Sequence, residues 1–256
     1  FTFDKRFTDA MAGLFLYHGI TNVRDTGGLL EDLLPVVDTL RSAGSNAPNI
    51  WYSGPLLDGK DVVYDGVNFP GLGIANPTPE AALANIAEIH AAGASFLKIY
   101  EMVTPEVFAA IVEEAGARNL PIDGHVPLSM RARDVAPQVQ SLEHLRNYEM
   151  DCVEDPELWL AARQAELANL ANEPGNVLRA RLHTLQRLTA ITNEDPVVCA
   201  ETTEALKATI TVPTLRMNSM DLYVPFDRED FDQTMDLIPT TVSEEWRAAR
   251  DALAAS

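Results

Sequence analysis

Short apolar runs of β type alternate along the chain with stretches whose apolar residues recur at helical spacing. Ile20–Val23 runs through Arg24-Asp25-Thr26-Gly27-Gly28 into a helical pattern from Leu29 to about Leu40. Asn49–Tyr52 runs into Ser53-Gly54-Pro55. Ser95–Tyr100, Pro121–Val126, Ser141–Leu145 and Ile210–Leu215 read as further strands. Thr78-Pro79-Glu80 and Thr104-Pro105-Glu106 each offer an N-cap threonine and a proline at the first helical position. Gly93 suits a helix stop, and Gly71-Leu72-Gly73, between Pro70 and Pro77, reads as loop punctuation. Strands near 20–24, 49–54, 95–100, 121–126, 141–145 and 210–215 with helices between them predict an α/β fold on a parallel sheet. An open doubly wound sheet and a (β/α)8 barrel both satisfy that pattern.

The stretch from 151 to 207 is too long for one crossover. Helical patterns run from Pro156 to about Asn172, Val177 to about Thr192, and Val197 to Lys207. The expected organisation is a partial barrel over 1–150 and 208–256, with 151–207 as a helical insertion in the same domain. The insertion is either a decorated loop or a lid.

Composition narrows the function classes. With 256 residues, 46% hydrophobic and 22% charged, the chain can bury a sizeable core and is not a disordered polymer. No run approaches the roughly 18 apolar residues of a membrane-spanning helix, so a soluble chain is expected, cytoplasmic or exported. The 38 acidic against 19 basic residues give a net charge of −19, which repels nucleic acid and anionic membranes and leaves a small-molecule substrate as the expected partner. A homo-oligomer is compatible with this. Cys152 and Cys199 have no metal-ligand spacing and stand as a pair or as two thiols. The first residue is Phe1, which suggests a segment of a longer chain.

Three residues stand out chemically. Lys98 sits inside Phe96-Leu97-Lys98-Ile99-Tyr100, where a buried ammonium must be paired, neutralised or modified. His125 ends the run Pro121–Val126, and His144 ends Ser141–Leu145. All three fall late in successive strands, and late strand positions converge at the C-terminal face of a barrel. A lysine and two imidazoles meeting there point to divalent metal, zinc first. His18, His90 and His183 lie on helical stretches and read as surface residues. Asp25 reads as a turn former or a site residue. Tyr100, Arg146, Tyr148 and Arg24 are candidate contacts for a substrate carboxylate.

Gly19–Gly28 (GITNVRDTGG), Phe96–Tyr100 (FLKIY), Gly124–Pro127 (GHVP), Ser141–Leu145 (SLEHL) and Val212–Leu215 (VPTL) occur in one order. Together they resemble the amidohydrolase superfamily, in its imidazolonepropionase-like and prolidase-like branch. The resemblance implies a (β/α)8 barrel with strands two to seven present here. It implies that Lys98 is the carboxylated, metal-bridging lysine, with His125 and His144 as metal ligands. It implies hydrolysis of an amide-type bond, such as a dipeptide, by a metal-activated hydroxide with one or two Zn2+ ions. Esters, lactones and phosphotriesters suit the same site, and a catalytically inactive binding barrel is the alternative. The family's first-strand His-x-His pair and last-strand Asp have no counterparts in the sequence, so this stretch alone is expected to be inactive.

Overall fold

The computed structural model describes residues 8–169, 172–215 and 231–254. The chain divides into two compact units. The first comprises Phe1–Asp25, Glu31–Ile50 and Thr214–Ser256. In it, helix α2 (Leu30–Ser42) buries Leu33, Val36, Val37 and Leu40, the stripe that helical periodicity predicts. Met235, Ile238 and Val242 form a small core with Met11 and Leu14 of α1 (Thr8–Tyr17). Strand β1 (Asn22–Asp25) meets the start of β2 (Asn49–Tyr52), where the Asn49 side chain donates to Asn22 Oδ1 at 3.0 Å.

The second unit, Thr26–Leu30 with Trp51–Pro213, contains a six-stranded parallel sheet. Its strands are β3 (Leu56–Asp58), β4 (Gly73–Ala75), β5 (Leu97–Ile99), β6 (Ile122–Gly124), β7 (Ser141–Glu143) and β8 (Ile210–Val212), in the order β4-β3-β5-β6-β7-β8. The α/β class and the four strands from β5 to β8 agree with the sequence pattern. Two details differ. The runs at 20–24 and 49–54 form a separate two-stranded sheet, and β3 and β4 take their place beside β5. These strands span three residues each, too short to show alternation. Gly73 is not loop punctuation but the first residue of β4: a Cβ there would lie 2.8 Å from Val62 Cγ1, so the close approach requires glycine. Among the described residues the sheet is open, with β4 and β8 at its edges, where the sequence implied part of a closed barrel.

Register explains how a sheet so buried carries polar residues. Lys98 pairs with Asp123, and Asp123 with Ser141, so these three share one face, joined by Glu143 two residues on. Leu97, Ile99, Ile122 and Leu142 take the opposite face. Helices α3 (Pro79–Ala91) and α4 (Pro105–Arg118) fill two crossovers. Thr78 and Thr104 cap them as the sequence predicts, accepting from the Ala81 and Val107 N–H groups. α4 ends on Asn119 in the left-handed conformation, φ 55°.

Between β7 and β8 lie α6 (Pro156–Asn169), α7 (Gly175–Leu182), a π-helical turn (His183–Arg187), α8 (Leu188–Thr192) and α9 (Pro196–Leu206). Leu182 and Ala190 from this segment bury against Leu128, Met150 and Val153, with Met102 and Trp159 beside them. Met102, Leu128 and Met150 follow β5, β6 and β7, so the helices cover the carboxyl ends of three strands. Arg163 of α6, fully buried, donates from Nε to the Leu128 carbonyl at 3.0 Å. Cys152, after β7, is disulfide-bonded to Cys199 of α9.

That bond closes a loop with a sequence separation of 47 residues. Restricting so long a loop in the unfolded chain stabilises the fold by up to about 4 kcal/mol in the chain-entropy account. Cys152→Ser or reduction should therefore lower the melting temperature by several degrees, and non-reduced unfolded protein should show no titratable thiol at these positions. Thermal melts with and without reductant, with thiol counting, check both.

Candidate functional site

Lys98 is the middle residue of β5, with 3% exposure, and its Nζ lies 3.8 Å from Glu143 Oε1. On the same face Ser141 Oγ donates to Asp123 Oδ1 at 2.6 Å. The buried ammonium thus faces carboxylates from two neighbouring strands, the pairing that burial demands. Gly124, just before His125, leaves no room for a side chain: a Cβ would sit 2.8 Å from the Ile99 carbonyl oxygen. β6 can therefore lie tight against β5 and bring His125 beside Tyr100.

His125 and His144 follow β6 and β7, and their ring centroids are 4.9 Å apart in an edge-on arrangement. His144 has φ 67°, and Leu145 and Asn147 are left-handed too, at 50° and 72°. This unusual run turns the chain sharply off β7, and the Asn147 amide pins it by donating to the Val126 carbonyl at 2.9 Å. Burial holds the His125 imidazole neutral down to about pH 3, with the nearby Lys98 and His144 charges acting the same way against the pull of Glu101. Burial, Lys98 and Arg146 lower His144 to about 4. The structure thus brings Lys98, His125 and His144 into mutual electrostatic range with both imidazoles uncharged.

The sequence does not single out Glu101, which lies at the centre of this cluster. It is completely buried. Oε1 is 2.7 Å from His125 Nδ1, 3.1 Å from Arg179 Nε and 3.6 Å from an Arg146 guanidinium nitrogen, while Oε2 is 2.9 Å from His183 Nε2. Burial alone would raise its pKa, but hydrogen bonds from His125 and His183 and the Arg179 charge hold it well below the usual carboxylate range. His183, read from the sequence as a helix-surface residue, instead points at Glu101 from the start of the π turn. His90 is on the surface as expected, bonded to Arg118 at 3.0 Å.

The three candidate substrate contacts separate. Tyr100 is buried, its ring 4.5 Å from that of His125 and under the Arg179 guanidinium at 5.8 Å. Arg146 reaches Glu101. Tyr148 instead lines a cavity of about 400 Å³ with Leu142, Leu145, Arg146, Thr203 and Thr211. Leu142 and Thr211 are register partners on the sheet face opposite Lys98. Asp25 belongs to the first unit.

Asp58, at the end of β3, is another buried carboxyl that the sequence reading passes over. It accepts from the Gly59, Val63 and Met102 N–H groups at 3.1, 2.8 and 2.8 Å, tying β3 to the residue after Glu101. Burial outweighs those hydrogen bonds and raises its pKa to about 7.

The donor set was tested against a divalent cation. Among the described residues no group of three or more His, Cys, Asp or Glu could hold one. His125 and His144 supply two neutral imidazoles, and the Glu101 contact on Nδ1 leaves Nε2 of His125 as the available donor. Lys98 as an ammonium offers no lone pair and would join only once carboxylated.

No protein-family model and no curated protein matches the chain. Among solved structures it is similar to parts of several amidohydrolases. Ochratoxinase from A. niger shares 20% identity at a TM-score of 0.48, over 80% of this chain and 55% of the other. A Xaa-Pro dipeptidase with bound methionine shares 14% at 0.45, over 82% and 57%. Bottromycin amidohydrolase shares 23% at 0.45, over 65% and 35%. The chain therefore spans between about a third and three-fifths of the length of these structures.

The buried titrations have opposite signs. Asp58, raised to about 7, contributes stability that is full below pH 3.8 and lost as pH rises through 7. His125, lowered to about 3, contributes stability present above pH 6.5 and lost as pH falls towards 3. Between pH 4 and 6.5 the two nearly cancel. In metal-free protein Asp58→Asn should expose the His125 slope, a loss of about 1.4 kcal/mol per pH unit on acidification below 6.5. Urea melts from pH 4 to 8 measure this; an unchanged slope would refute one of the two assignments.

Proposed function

We propose that the protein is a metal-dependent hydrolase of amide-type bonds, with His125, His144 and a carboxylated Lys98 holding one or two divalent ions, zinc first. The observation that supports this best is local. Two neutral imidazoles meet within 4.9 Å at the ends of adjacent parallel strands, next to a buried lysine on the preceding strand. Catalytic groups on α/β folds gather at that end of the strands.

When bound, such an ion polarises the substrate carbonyl and lowers the pKa of water. This chain's own residues do the rest. Burial keeps the imidazoles neutral and therefore able to ligate. Glu101 orients His125 through Nδ1. Carboxylation of the Lys98 amine forms an N–C bond to carbon dioxide, releasing protons and replacing a cation by an anion. Glu143 and Asp123 stand close enough to take those protons, and the new anion beside them needs cationic neutralisation. The helices between β7 and β8, resting on the ends of β5, β6 and β7, exclude water from this region. The proposed substrates are small molecules carrying an amide, such as a dipeptide, an N-acyl amino acid or a cyclic amide. The −19 charge disfavours nucleic acid as a partner.

The Lys98–Glu143 pair favours a second reading. With Lys98 left as an ammonium, only two imidazole donors remain, and the fold would serve as a binding scaffold. The test is Lys98→Ala against the surface control His90→Ala in the full-length protein. Hydrolysis of a dipeptide and N-acyl amino acid panel should fall ~100-fold or more in Lys98→Ala, with loss of bound metal, and stay near normal in His90→Ala. Short carboxylic acids should restore part of the activity by standing in for the carbamate. Equal metal content and turnover in both variants would leave Lys98 as an ordinary buried cation.

A further inference from the structure

Glu101 draws nitrogen donors from three parts of the second unit. His125 follows β6, Arg146 follows β7, and Arg179 and His183 come from α7 and the π turn. Four donors converging on two oxygens is an arrangement that only a carboxylate accepts, and a carboxylate has no proton to give. His125 Nδ1 must therefore be the donor in its 2.7 Å contact, and His183 Nε2 the donor in its 2.9 Å contact. His125 is left with a bare Nε2.

We infer that Glu101 is a positioning residue which fixes His125 as the Nδ1–H tautomer, and that Arg179 and His183 hold Glu101 in place, so that seating of the α7–π-turn segment and readiness of His125 to bind a cation are one event. The cation half of this inference rests on the metal reading above; the tautomer half does not.

The geometry gives the segment no looser role. Arg179 does two things at once, pairing with Glu101 at 3.1 Å and covering the Tyr100 ring, which in turn packs on His125. The helix is also wound irregularly at this place. His183–Arg187 forms a π turn, the kind of local widening that re-aims side chains at functional sites. Its first residue reaches Glu101, and its last, Arg187, pairs with Glu149. Without Arg179 and His183, Glu101 would keep His125 and the more distant Arg146, too little to hold a buried charge in one orientation.

The experiment is 15N NMR of histidine-labelled, metal-free full-length protein, joined to Zn2+ titration and amide hydrogen exchange. Wild type should show His125 as the pure Nδ1–H tautomer. Glu101→Ala should give a mixture of tautomers and Zn2+ binding weaker by about 10–100-fold. Glu101→Gln should keep the tautomer, because the amide oxygen still accepts from Nδ1, while the uncharged group releases Arg179. The double variant Arg179→Ala/His183→Ala should speed exchange across residues 175–187 at least about tenfold and weaken Zn2+ binding in the same range. His125 remaining wholly Nδ1–H in Glu101→Ala would overturn the positioning role. Unchanged Zn2+ affinity in the double variant would overturn the coupling. If Glu101→Ala does not fold, Glu101→Gln and the double variant decide by the same readouts. Wild type that binds no Zn2+ but shows the pure tautomer would sink the metal reading and leave the positioning role supported.

Discussion

An ionised carboxylate held out of water has to be neutralised from within the protein, and Glu101 is neutralised by side chains from three separate segments. Much of the second unit's design follows from that need. The end of β5 cannot be covered by apolar residues alone, so the helices after β7 arrive carrying Arg179 and His183. The loop after β6 presents a histidine there, and the loop after β7 an arginine. Removing one such partner leaves the others as uncompensated charges, so the cluster stands or fails as a unit. Asp58 extends the same region by a different device, accepting three backbone N–H groups where Glu101 accepts side chains.

The polar face of the sheet repeats the principle at lower density. Lys98, Asp123, Ser141 and Glu143 lie in register on three strands, and each is buried. An all-apolar face would be simpler to stabilise. Its replacement by acids, a hydroxyl and a lysine is the usual mark of a region kept for chemistry rather than for packing.

The sequence was informative where a local rule applies. Thr78 and Thr104 announce their helices, and β5 to β8 stand out as apolar runs. Lys98, His125 and His144 are visible because ionisable residues interrupt or end such runs. β3 and β4 were not legible, since three residues give no period and Gly73 looks like a turn. Glu101 was missed because a charged residue after a strand is ordinary, and nothing local tells that helices from some eighty residues later will bury it. His183 was misassigned for the converse reason: a polar residue on a helix reads as surface unless its partner is known. Tertiary neutralisation leaves no imprint on local periodicity, so the half of the site that depends on it stayed hidden.

The three left-handed residues after β7 set a limit on how this region can vary. Each non-glycine residue held at positive φ costs of order 1–3 kcal/mol where its surroundings impose it. His144, Leu145 and Asn147 all carry that cost within four positions. Glycine would relieve it at any of them, yet glycine at 144 would delete the imidazole, and at 147 the bond to Val126. Position 145 alone is open to a stabilising exchange. Drift in this loop is therefore channelled: the substitution that most eases the backbone is available at the one residue with no polar group to lose.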